Sequence, residues 1–234
     1  MSSTTNWKHI LLLFVPGTLW GSSFLLNEIS LQTIPPATLT GVRNLLAIPL
    51  LLVMLRWTGG QLARSGARWR QYAFIGFFNN AFPFFLISWG QQFIESGLAA
   101  ILLATMPLCT ILLAHFLTTD EKLTAKKVTG IGLGLAGVLV LIGPGALRGL
   151  GLGVQGQLAV LGASLSYAVG GIYARNVFRQ RRISGGLQRA GLVDVTTGQF
   201  ITSVIFMLPW MVAWEQVWTV QPSGPSWWAL VAQS

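Results

Sequence analysis

The sequence predicts an all-α fold, a polytopic helix bundle set in a membrane, on three observations. Hydrophobic residues make up 53% of the 234 positions and charged ones only 9%, whereas a soluble domain carries about a quarter charged residues. So few charges cannot clothe a water-facing surface. Apolar stretches of about 20 residues recur along the chain, the length that carries a helix across a hydrocarbon core at about 1.5 Å per residue. Ten Trp and thirteen Phe suit lipid interfaces and apolar packing. The stretches do not alternate in polarity at every second residue, which sets aside a β-barrel.

The apolar segments fall near 8–27, 37–57, 71–91, 96–117, 126–143, 156–178 and 194–215, and an eighth begins at "SWWALVAQS". Lys8 and His9 before the first run imitate a signal peptide. However, Trp20 and Asn27 interrupt its tail and no A-x-A cleavage site follows, so it reads as a first spanning helix. Pro and Gly inside several segments are tolerated in lipid, where neighbouring helices re-satisfy the backbone. The single cysteine, Cys109, lies inside the fourth segment and permits no internal disulfide.

Basic residues orient the spans. Lys8, then Arg56, Arg64, Arg68 and Arg70, then Lys122, Lys126 and Lys127, then Arg175, Arg179, Arg181, Arg182 and Arg189 all fall on one side. The other side holds Arg148, and Arg43 lies within a span. Positive charge is retained in the cytoplasm, so the N-terminus is expected inside. The net charge of +9 therefore reads as helix anchors near anionic lipid. It is not expected to mark a nucleic-acid partner, since no nucleic-acid-binding motif accompanies it.

Gly132, Gly134 and Gly137 in "GIGLGLAG" follow the spacing of a dinucleotide-binding turn, and Gly151, Gly153 and Gly156 repeat it. That turn needs a preceding strand, a helix opening at the glycines and an acidic residue about 20 positions on, none of which is present. The first set, with Gly130, reads instead as a small-residue face for close helix packing, as do Gly17 and Gly21. The second set follows "GPG" in an outer connection, 144–155, and reads as turn glycines.

An internal echo suggests two units. "TLWGSSF" at 18–24 resembles "LSYAVGG" at 165–171, and Thr40-Gly41 matches Thr197-Gly198. The first span runs inside to outside and the sixth the reverse, so five spans per unit makes the second unit inverted. The stretches "LWGSSFLLNE", "PPATLTGVRNLLAIPLLL" and "SGLAAILLATMPLCTILLAHFLTTDEKLTAKKVTGIGLGLAGVLVLIG" resemble the EamA family of the drug/metabolite transporter superfamily. Pro107, Glu121 and Leu123-Thr124 carry the likeness in the last of these. The resemblance implies two inverted five-helix repeats, 8–143 and 156–234, in a bacterial inner-membrane protein. It implies export or exchange of small metabolites or drugs, amino-acid-like or other organic solutes. The first unit runs from Trp20 to about Pro144. The same length counted from Tyr167 runs well past Ser234, so roughly two and a half helices of the second repeat are absent. A cut or shifted reading frame is the expected reason, and uncovered apolar helix faces leave a homodimer open.

Polar side chains inside a bundle usually face its interior. Pro16, Trp20, Ser23 and Asn27 share one face of the first span; Asn80, Pro83 and Gln91 share one on the third. Ser166, Gly170 and Tyr173 do so on the sixth, and Gln199 and Ser203 on the seventh. Trp20 and Asn80 lie about 12–18 Å from a helix end, the midplane depth at which transporters hold substrate. The candidate substrate residues are therefore Trp20, Ser23, Asn27, Arg43, Asn80, Gln91, Tyr167 and Gln199. The plainer alternative is hydrogen bonding between helices, worth about 0.6–2 kcal/mol each. Arg43 has two open roles: pairing with Glu28 near the outer end, or recognition of an anionic group. No Asp or Glu sits deep in a span to relay protons.

Enzyme chemistry is not expected. His9, His115 and Cys109 cannot make a zinc site, and neither P-loop nor nucleophile elbow appears. His115, near the cytoplasmic end of its helix, reads as a cap or as a residue facing the interface. No cofactor and no metal are expected; the partners are lipid and a small-molecule substrate. A seven-helix signalling protein is the alternative, set against by an N-terminus on the inside; an inactive transporter fragment is the other.

Overall fold

A computed structural model describes residues 7–118, 123–148, 153–183 and 189–234. The acidic turn at Asp120 and Glu121, Lys122 and Gly151 lie outside them, as do the side chains of Lys8, His9, Pro16, Arg182 and Arg189. Ten α-helices are present among the described residues, and no strand: α1 Trp7–Ser30, α2 Pro36–Trp57, α3 Gly66–Gly76, α4 Phe82–Gly90, α5 Ser96–Leu103, α6 Met106–Leu117, α7 Ala125–Arg148, α8 Val154–Ile183, α9 Arg189–Pro209 and α10 Gly224–Ala232. Among the described residues five stretches are long and apolar enough to cross a membrane: Pro36–Trp57, Gly66–Gly90, Ser96–Leu117, Val154–Arg181 and Gly191–Trp214. The expected spans at 8–27 and 126–143 fall on α1 and α7, each 24 residues long.

Proline explains where the long stretches change their winding. Pro83 has no N–H to offer the ladder, and the turn before it widens into a π segment, Phe77–Ala81. There the Phe82 N–H donates to the Phe77 carbonyl, five residues back. Before Pro107 the fourth stretch breaks at Ala104 and Thr105, and the Thr105 hydroxyl donates to the Leu102 carbonyl at 2.7 Å. Pro209 is followed by a second π segment, Trp210–Trp214.

The bundle is built from α2 against α9, α4 and α6 against α8, α3 against α9, and α1 against α10. Tyr72, Leu39, Ile75, Val160 and Val195 are wholly enclosed. The outward surface is apolar instead, with Leu50 65%, Leu133 70% and Leu158 62% exposed. Water would not tolerate so many exposed aliphatic side chains in a soluble protein of this size, but lipid does.

Close helix approach uses some of the glycines singled out by spacing, and others besides. A Cβ on Gly90 would sit 2.8 Å from the Gly156 carbonyl oxygen, and one on Gly156 2.6 Å from that of Gly90. Gly156 therefore belongs to α8 and packs against the end of α4; it is not a turn residue. Among the described glycines of α7 only Gly134 faces a close neighbour, Leu108, at 3.3 Å, while Gly130, Gly132 and Gly137 face open space, as do Gly17 and Gly21 on α1. A four-residue spacing says which glycines share a face; the tertiary arrangement decides whether anything covers it.

Glu215 fastens α2 from outside that helix. Its carboxylate accepts from the Ala37 N–H at 2.8 Å and from the Thr38 N–H at 2.6 Å. Pro35 and Pro36 supply no N–H there, and negative charge suits the positive end of the helix dipole. Glu215→Ala would strip a partner from two buried residues. We expect it to lower stability by about 1–2 kcal/mol, read as an earlier midpoint for thermal exposure of Cys109 to a thiol-reactive dye.

Candidate functional site

The largest convergence of expected residues is a cavity of about 170 Å³ enclosed by α1, α2, α4 and α8. From α1 come Trp20, Ser23, Phe24 and Asn27, at steps that repeat one helical face. Phe84, Ile87, Ser88 and Gln91 present the matching face at the α4 end of their stretch. α2 contributes Arg43 and α8 contributes Tyr167.

One wall is an amide network. Asn27 Nδ2 donates to Gln91 Oε1 at 2.5 Å, Ser88 Oγ donates to Asn27 Oδ1 at 3.3 Å, and Gln91 Nε2 donates to the Phe24 carbonyl at 2.9 Å. These bonds tie α1 to α4 while leaving the aromatic side of the cavity open. The Ser23 hydroxyl donates to the Trp20 carbonyl at 2.6 Å.

The opposite wall carries the charge. Among the described residues no carboxylate pairs with Arg43; its guanidinium lies over the Phe84 ring, 4.6 Å from the centroid. The Phe84 and Tyr167 rings meet edge to face at 6.3 Å. The expected partner Glu28 is engaged elsewhere: its Oε2 accepts from the Ser96 N–H at 3.2 Å, at the start of α5. No ion pair joins Arg43 to Glu28, because the helix start offers that carboxylate a nearer donor. A charge within a span costs at least about 2.5 kcal/mol, and a ring face returns about 0.5–2 kcal/mol. Arg43 is thus left with unmet electrostatic demand, facing a cavity.

Six of the eight expected residues line this space: Trp20, Ser23, Asn27, Arg43, Gln91 and Tyr167. Asn80 and Gln199 do not. In an unbroken α-helix Asn80 would share the face of Gln91, but the π segment at Phe77–Ala81 adds about one residue of winding and turns it away by roughly 100°. Asn80 ends up buried, its Nδ2 without a partner among the described residues. Gln199 lies on the part of α9 facing α3, where its carbonyl borders Gly76. Sequence reasoning missed Phe24, Phe84, Ile87 and Ser88. The steps Phe84, Ser88, Gln91 were the available signal, hidden because three of the four residues look like ordinary apolar packing.

A second polar cluster stands at the other end of the bundle, where α8 ends and α9 begins. The Tyr72 hydroxyl donates to Asp194 Oδ1 at 2.6 Å, and Arg181 Nη1 pairs with Asp194 Oδ2 at 3.1 Å. Arg181 Nη2 also reaches Gln71 Oε1 at 3.4 Å. Asp194 is only 4% exposed. Arg181 thus pairs with a buried carboxylate as well as flanking its helix, and that carboxylate stands near the start of its spanning stretch, not deep within it. His115, near the end of α6, accepts at Nδ1 from the Leu123 N–H at 3.1 Å and so ties the following connection to its own helix.

An apolar, multi-helix bundle with a polar cavity between its helices defines a polytopic integral membrane protein. Residues 7–143 match the EamA-like transporter family, and the chain belongs to it. Among curated relatives, protein PagO of Salmonella typhimurium is 34% identical over 126 residues, 52% of this chain and 40% of that one. The uncharacterized inner membrane transporter YedA of Escherichia coli K12 is 29% identical over 212 residues, 90% of this chain and 64% of its own. The uncharacterized transporter YoaV of Bacillus subtilis is 24% identical over 88% of this chain and 70% of its own. The chain thus spans 40% of the length of the relatives it matches at over 30% identity. A crystal structure 20% identical in sequence covers 92% of this chain and 72% of its own at a TM-score of 0.60, which shows a shared fold.

Proposed function

We propose that the chain forms the body of a secondary transporter that exports or exchanges small organic solutes by alternating access. The observation that carries this reading is a polar cavity in one half of the bundle with a hydrogen-bonded seal in the other. The cavity belongs to the end where α1 finishes and α2 starts, and Tyr72, Asp194 and Arg181 cross-link α3, α9 and α8 at the opposite end. Access from one side only is what an alternating cycle requires of each of its end states.

Helix neighbours support two inverted units, 8–143 and 156–234. Exchanging the first span with the sixth and the third with the eighth turns the α4–α8 contact into the α10–α1 contact. It leaves α2–α9, the second and seventh spans, paired with each other. Thirteen of the fifteen Lys and Arg fall on one side, which supports an inner-membrane orientation with the N-terminus in the cytoplasm. The substrate residues on this reading are the six that line the cavity.

Vesicles carrying the protein should move at least one radiolabelled solute from a metabolite panel faster than empty vesicles. Flux equal to that of empty vesicles across the panel would count against transport.

A further inference from the structure

We infer that the cavity selects small monoanionic solutes, a carboxylate on an apolar or aromatic body, and rejects both amines and zwitterions. The inference rests on the transport cavity proposed above and narrows what it would carry. Arg43 gives the cavity one positive charge, held against the Phe84 ring and paired with no carboxylate among the described residues. Among the described residues no Asp or Glu lines the space. A planar guanidinium facing a cavity matches a carboxylate through two parallel hydrogen bonds.

The rest of the lining says what the anion can be attached to. Gln91 Oε1 already accepts from Asn27, and Asn27 Oδ1 already accepts from Ser88. An ammonium group would lose its water and meet the Arg43 charge, with no carboxylate among the lining residues to offset either. Such a group would stay in solution, and a zwitterion would bring its ammonium in only at that cost. A flat apolar body, by contrast, has Trp20 and Phe84 to pack against. The volume of about 170 Å³ compares with about 150 Å³ for a cavity that takes benzene, so a single ring or short aliphatic chain fits.

The experiment is equilibrium dialysis of radiolabelled benzoate against the full chain in detergent, with unlabelled benzoate, benzamide, benzylamine and the slightly larger phenylglycine as single-ring competitors. Saturable binding displaced by benzoate alone is expected. Arg43→Gln should weaken it about tenfold or more, and Arg43→Lys should weaken it less. Benzylamine or phenylglycine competing as well as benzoate, binding unchanged in Arg43→Gln, or no saturable binding would each overturn the inference. Should Arg43→Gln not fold, judged by dye access to Cys109, the competition on the unaltered protein decides alone. Solute flux without saturable benzoate binding would sink the anion preference and leave transport standing; benzoate binding without flux would do the reverse.

Discussion

Asp194→Ala is expected to lower stability by about 3–5 kcal/mol, among the largest losses any single truncation in this chain should give. The carboxylate is nearly enclosed and holds partners on two other helices at once, the Tyr72 hydroxyl at 2.6 Å and the Arg181 guanidinium at 3.1 Å. Removing it does more than delete two hydrogen bonds. It leaves Arg181, whose side chain is 15% exposed, as a charge with a lost counter-ion, and Tyr72 as a buried hydroxyl with a lost acceptor. Tyr72→Phe removes only the second of these and should cost about 1.5–3 kcal/mol. Asp194→Leu combined with Arg181→Met removes both charges together and should recover much of the loss, since an apolar pair needs no desolvation. The midpoint of thermal dye labelling at Cys109 orders these variants. Equal midpoints for Asp194→Ala and the double variant would mean that the pair is not coupled.

How visible this was beforehand differs from feature to feature. The helices could be read because lipid imposes a length and a composition on each span, and both are local properties. The α1 wall of the cavity could be read for the same reason, since Trp20, Ser23 and Asn27 repeat one helical face. Asn80 was misplaced because Pro83 alters the winding before it, and periodicity assumes constant winding. Asp194 was hidden differently. It stands close to a helix end among basic residues, where a carboxylate looks like charge balance, and only the juxtaposition of Tyr72 from 122 positions away buries it. Glu215 caps a helix through Ala37, 178 residues earlier, a pairing no local pattern encodes.

The second large effect concerns Gly76, and it separates true packing glycines from those that merely share a spacing. A Cβ there would run into the Gln199 carbonyl and the Thr202 hydroxyl of α9. The carbonyl is backbone, so no rotamer change clears it, and Thr202 is itself engaged with the Tyr72 carbonyl at 3.0 Å. α3 and α9 must separate, and Tyr72 and Asp194 span that same seam. Gly76→Val should therefore cost about 3 kcal/mol or more, above the usual range for overpacking because the sealing hydrogen bond is strained with it. Gly132→Ala gives the control. It is a helical glycine on α7 whose Cβ would meet nothing within 4 Å, and alanine there should raise stability by up to about 1 kcal/mol through helix propensity alone. Opposite shifts of the Cys109 labelling midpoint are expected from the two variants. A Gly76→Val protein as stable as its parent would show that α3 and α9 are not in contact at this glycine.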